Sequence, residues 1–192
     1  MSRAAGFEVA TPASWFDLDL DSSTRRASIA RMVEHSADHL DVPRRDELAR
    51  LLEHGAAEAQ AQKAVFAAIY SEVIQERPVS ASLVVSVQSG KSTRPGTVNR
   101  SDLAQGLSRI LAERGSVAVH DLPAGPAVRL RKRTQAPVPG QEVHVEVEHV
   151  QWFVPFPDGR QLALLAFSTP TLGLAEPFGD LFDAIAGTLR WT

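Results

Sequence analysis

Four groups of residues in this 192-residue chain carry side chains whose type and spacing could do chemistry. His35 and His39 stand four apart, the helical spacing that lets two imidazoles meet one metal ion, and Asp38 and Asp41 lie close enough to join them. The zincin pattern requires glutamate directly after the first histidine, where this chain has Ser36, so exposed histidines flanking a core stripe explain the spacing equally well. Asp17, Asp19 and Asp21 alternate, which puts three carboxylates on one strand face. A calcium loop of the EF-hand type wants glycine at its sixth position and glutamate at its twelfth, where Ser22 and Ser28 stand. The triplet is expected on an exposed edge strand, where negative charge discourages aggregation.

Gly90-Lys91-Ser92-Thr93 follows a strand pattern and ends like a phosphate-cradling loop. That loop needs a glycine five residues before Gly90, where Val85 stands, and Pro95 and Gly96 break the helix that should follow. A surface loop is expected. Arg129, Arg131, Lys132 and Arg133 form the one basic cluster and the one candidate for phosphate or nucleic-acid contact. Glu146 and Glu148 are expected opposite two of these arginines and would neutralise the patch, so no nucleic-acid partner is expected. His54, His120, His144 and His149 are scattered singly, and no Gly-x-Ser-x-Gly supplies a nucleophile elbow. Trp15, Trp152 and Trp191 read as core or rim anchors. No catalytic residue, metal ligand or cofactor is expected.

Composition narrows the classes. The absence of cysteine excludes disulfides, thiolate metal sites, a cysteine nucleophile and a lipobox anchor. A net charge of -3 gives no global field to recruit nucleic acid or an acidic bilayer. No apolar run is long enough to span a membrane, and the residues from Met1 to Phe7 show no apolar signal core, so a cytoplasmic protein is expected. Lys63, Lys91 and Lys132 are the only lysines among 20 basic residues, which together with the many alanines suggests a GC-rich bacterial genome. The length fits one domain over 1–192.

These groups must be positioned by the following elements. Phe7–Thr11 and Phe16–Leu20 read as a first hairpin or corner, with Phe16, Leu18 and Leu20 inward. A helical pair fills about 22–62, the first helix capped near Ser22 or Ser23 and the second started by Pro43. Residues 64–74 fit either period, and their β-branched and aromatic character favours a strand. Residues 78–88 alternate, with Val79, Ala81, Leu83, Val85 and Val87 on one face and mostly serine on the other. Asn99 or Ser101 caps a helix that Gly115 ends, and Val117 to His120 reads as one more strand. Residues 127–134 pair with 143–150, Thr134 opposite Val143. Asp158-Gly159 turns a second hairpin whose strand 161–168 is apolar on both sides and therefore expected central and covered on both faces. A terminal amphipathic helix runs from Pro177 to Trp191, with Phe178, Leu181, Phe182, Ile185 and Leu189 in one stripe. The fold class is α+β: a central antiparallel sheet of about six to seven strands flanked by helices.

An opening strand followed by Pro12-Ala13-Ser14-Trp15, a long antiparallel run, the Pro157-Asp158-Gly159 hairpin and a closing helix through Phe182-Asp183-Ala184-Ile185 to Leu189-Arg190-Trp191 resembles the PsbP-like fold. The resemblance covers most of the chain by layout. It implies a family dominated by non-enzymatic adaptors, among them photosystem assembly subunits, a nuclear-transport Ran regulator, bacterial lipoproteins and type VI secretion effector chaperones. The leading expectation is thus a protein-binding adaptor, assembly factor or secretion-associated chaperone that uses Val150, Trp152, Val154 and Phe156 if helices leave that sheet face open. The second is a small-molecule or lipid carrier with a pocket between sheet and helical pair lined by Phe66, Tyr70 and Trp152. The third is a metal hydrolase using His35, His39 and Asp41. An exposed strand edge would make a homodimer plausible.

Overall fold

The computed structural model describes residues 2–4, 6–36, 41–89, 99–137 and 142–192. Strand β1 (Ser2–Ala4), β2 (Phe7–Val9) and the corner strand β3 (Phe16–Asp17) lead into a helical pair, α1 (Arg25–Ser36) and α2 (Val42–Ala61). Then come β4 (Ala64–Ile74), β5 (Arg77–Ser89), α3 (Arg100–Leu111), β6 (Ser116–Leu122), β7 (Gly125–Pro137), β8 (His144–Pro155), β9 (Gln161–Thr169), α4 (Ala175–Gly187) and β10 (Arg190–Trp191). The expected class holds: a seven-stranded antiparallel sheet in the order β3-β4-β5-β9-β8-β7-β6, flanked by helices.

Local chemistry sets most boundaries. Asp41 caps α2 by accepting from the Arg44 amide, and Pro43 occupies the first turn, where its missing donor costs nothing. Asn99 caps α3 by accepting from the Ser101 amide. Residues 64–74 are a strand, and Gln75 and Glu76 turn it into β5 with φ of 50° and 63°, the mirror-image turn that matches strand twist.

The two ends depart from expectation. Phe7 and Phe16 do not share a hairpin: β2 sits in a separate three-stranded sheet, β1-β2-β10, while β3 edges the main sheet. The terminal helix stops at Gly187, and Arg190-Trp191 forms β10 against Glu8 and Phe7. The Thr188 hydroxyl, which receives the Ala10 amide at 2.9 Å, ties that exit to the N-terminal segment. The β7–β8 register also differs, with Thr134 opposite Val147 instead of Val143.

Alternation divides the main sheet into two faces. On one, Phe66, Ala68, Leu83, Val85, Leu165, Phe167, Val150 and Trp152 pack beneath α4 with Phe178, Phe182 and Ile185. Phe167 and Phe182 stack with centroids 4.8 Å apart, and Trp15 meets Phe182 edge-on. The other face has two separate covers. The α1–α2 pair lies over Ile69 at one side, and α3 over Val128 and Leu130 at the other. Strand β9 is central as expected, but its second face is only half covered: Leu162, Leu164, Ala166 and Ser168 remain partly exposed.

Candidate functional site

Among the described residues, the gap between the two covers is a trough whose floor is the second face of β5, β9 and β8. Its residues are Ser82, Val84 and Ser86, then Leu164, Ala166 and Ser168, then His149 and Gln151, all half-buried. Strand register fixes the rows. One row across the sheet reads Ile69, Ser82, Ser168, His149, Lys132, and the next reads Ala67, Val84, Ala166, Gln151, Leu130. With neighbouring strands 4.7–4.9 Å apart, β5 to β8 spans roughly 10 Å, close to the width of one α-helix.

The polar row is internally bonded. The Ser82 and Ser168 hydroxyls lie 2.7 Å apart, and the Thr134 hydroxyl lies 2.9 Å from His149 Nε2. Burial and the nearby Lys132 ammonium outweigh the Glu148 carboxylate and hold the His149 pKa below its ordinary value, favouring neutral imidazole. On the α2 side the trough deepens into a pocket of about 240 Å³ lined by Leu51, Gly55, Ala59, Ile69, Ser82 and Val84. A second cleft, of about 320 Å³, lies on the α4 side among Pro12, Trp15, Tyr70, Leu174, Phe178 and Leu181.

The residues expected to form an open apolar surface do not. Val150, Trp152, Val154 and Phe156 are buried, at 0, 2, 0 and 9% exposure, because this is the face that α4 covers. Phe66 and Trp152 also lie in that core, away from the helical pair, and Tyr70 lines the second cleft. The expected carrier pocket is therefore split: a pocket exists beside α2, but other residues line it.

The basic cluster is spoken for, and by more acids than expected. Arg129 donates to Asp183 at 2.7 Å, and Arg133 to Glu148 at 2.6 Å. Arg131 bridges Glu148 and Glu176, the latter through two hydrogen bonds at 2.6 and 3.0 Å. Asp183 and Glu176 come from α4, so the cluster straps that helix to β7. Glu148 is 2% exposed. Burial pushes its carboxyl up, but hydrogen bonds from Arg131 and Arg133 prevail and its pKa is lowered. The hydrogen bonds that Arg131 donates to Glu176 and then to Glu148 raise its pKa. Lys132 has the opposite parity and belongs to the trough side.

The remaining candidates scatter. Asp17 is in the edge strand β3, whereas Asp19 and Asp21 have left it and organise the start of α1: Asp21 accepts from the Ser23 amide and hydroxyl, and Asp19 from the Thr24 hydroxyl. His39, Asp38 and Gly90 to Thr93 fall outside the described residues, as does the His35 side chain. Among the described residues no three histidines, cysteines or carboxylates gather as a metal site, and no helix is long and apolar enough to cross a membrane. His54 meets Glu58 at 3.4 Å on α2, and the His120 ring sits 5.2 Å from Trp152. Trp15 and Trp152 are core, and Trp191 anchors the rim by donating to the Ala124 carbonyl at 2.7 Å. The trough itself had one signal in the sequence, the serines alternating with valines along β5.

No protein-family model matches this chain, and no curated protein is significantly similar to it.

Proposed function

We propose that this chain is a non-enzymatic protein-binding adaptor, assembly factor or secretion-associated chaperone, and that its partner lies in the trough between α2 and α3. The observation that carries this reading is the shape of the uncovered floor: three strands wide, lined by Leu164, Val84 and Ala166 among hydroxyls, and half exposed in the free chain. A polypeptide segment matches it in width. The pocket beside α2, at about 240 Å³, is smaller than the 300–1,000 Å³ usual for small-molecule sites and suits one inserted side chain better than a metabolite. The mixed lining suits a segment with small apolar side chains, since the serines supply adaptable hydrogen-bonding groups at low entropic cost. The engagement of Arg129, Arg131 and Arg133 with acids argues against nucleic acid as the partner. The PsbP-like layout adds weight from a family rich in adaptors, and a bacterial cytoplasmic setting is part of the proposal.

The test is affinity capture from the native cytoplasm with the wild-type chain and with Leu164→Glu, which puts a carboxylate on the trough floor. One stoichiometric protein retained by the wild type and lost by the folded variant supports the reading. Equal retention by both removes the trough as the docking site. A carrier function has one observation in its favour, the cleft of about 320 Å³ bounded by Trp15, Tyr70 and Phe178. It predicts a co-purified apolar ligand in native mass spectrometry that Leu181→Trp displaces.

A further inference from the structure

The two edges of the main sheet are built differently. At one, β3 contributes two residues, one of them Asp17, and Asp19 and Asp21 follow. At the other, β6 offers seven residues in unbroken register with β7, from Ser116 opposite Arg131 to Leu122 opposite Gly125. Among the described residues no strand pairs with its outer side. Of the devices that normally blunt such an edge, β6 has no proline, lysine or bulge and is seven residues long, and its one charged residue, Asp121, stands next to its end. Its residues 116–119 are uncharged, and Val119 is 47% exposed.

The ends of this edge carry opposite charges. Arg114 precedes the strand and Asp121 stands near its finish; both are exposed, and neither forms an ion pair among the described residues. A strand with a cation at its start, an anion at its finish and β-branched residues between them is complementary to itself when run antiparallel.

We propose that β6 pairs with β6 of a second copy of this chain, forming a two-fold dimer with Ala118 opposite its own counterpart. In that register Val117 faces the partner's Val119 twice on the face that carries α3, and Asp121 falls opposite the partner's Gly115, beside its Arg114. Even-numbered pairing keeps the faces of the two sheets continuous. The contact is one strand wide, in the class of small, concentration-dependent interfaces, so it forms reversibly. It rests on the edge alone and is independent of what occupies the trough.

Sedimentation equilibrium between about 5 and 500 µM covers the range in which an interface of this class assembles. The expected result is a monomer–dimer equilibrium whose dissociation constant rises about tenfold or more in Val119→Lys, because an edge lysine is a residue sheets use to block pairing. Asp121→Arg weakens the dimer, and adding Arg114→Asp restores it. Register is read separately. The chain has no cysteine of its own, so Ala118→Cys should cross-link to a dimer under oxidised glutathione about tenfold faster than Val119→Cys, whose sulfurs are not opposed. A monomer throughout the range, or a dimer indifferent to Val119→Lys and to the charge swap, overturns the proposal.

Discussion

The two faces of the central sheet are made from the same strands and differ in how they are closed. Beneath α4 the strands offer Val, Leu, Phe and Trp to a helix that returns Phe178, Phe182 and Ile185, Phe7 and Val9 of β2 join the same core, and the boundary is strapped by Arg129–Asp183 and Arg131–Glu176. On the opposite face two smaller clusters sit at the flanks, and among the described residues the middle is left to Ser82, Val84, Ala166, Ser168 and His149. Most of the buried apolar side chains lie on the first face, and among the described residues the middle of the second stays half-exposed. A central strand therefore need not be dry on both sides; alternate serines are enough to leave one side wet.

Substitutions on matched strands measure that asymmetry. Phe182→Ala, at the centre of the aromatic stack, is expected to cost about 3–5 kcal/mol, read as a lowered urea midpoint. Glu148→Ala is expected to cost about 2 kcal/mol, since it removes the carboxylate that Arg131 and Arg133 share, while Arg131 keeps Glu176 and Arg133 is half exposed. Leu164→Ser, on β9 but pointing to the trough, should cost only about 1 kcal/mol, because its side chain is already half in water. If Leu164→Ser destabilised as much as Phe182→Ala, the second face would be as closed as the first.

Acidification tests the same contrast. Glu148 has a lowered pKa, so its contribution is complete above the ordinary glutamate value of 4.5 and is lost as pH falls through the folded value. His149 also has a lowered pKa, so the unfolded chain takes up its proton first and stability declines as pH falls below 6.5. The urea midpoint should thus drop in two windows. His149→Gln should remove the upper one alone, and a profile flat from pH 7 to 5 in the wild type would contradict this account.

Much of the fold was legible because its signals are local. The β5 alternation, the Asp158-Gly159 turn and the Pro43 and Asn99 helix starts need only their own neighbourhoods. The β7–β8 register was read four residues out because 135–142 holds two prolines and a glycine, and no dipeptide there fixes the length of the turn. Four is even, so every side chain kept its face while the opposed partners changed, and Glu148 lies opposite Arg133 instead of Arg129. The site was less legible. Alternation says that a strand has two faces but not which of them α4 will cover, so Val150 and Trp152 were placed on the open side when the serines of β5 marked it. Strand β10 left no local trace, because a two-residue strand exists only through its distant partner β2.

That last pairing has a consequence for how the chain comes off the ribosome. The face of β4 and β5 that becomes the dry core is complete once Ser89 has been made, but the helix that shelters it begins only at Ala175. At about 5–20 residues per second, roughly 4 to 17 s separate the two events. Throughout that interval Phe66, Leu83 and Val85 face solvent without α4 over them, and Phe7 waits longer still for Trp191. The chain therefore passes through an interval in which one face of its core is complete but unsheltered, the exposure that makes partly folded chains prone to aggregate.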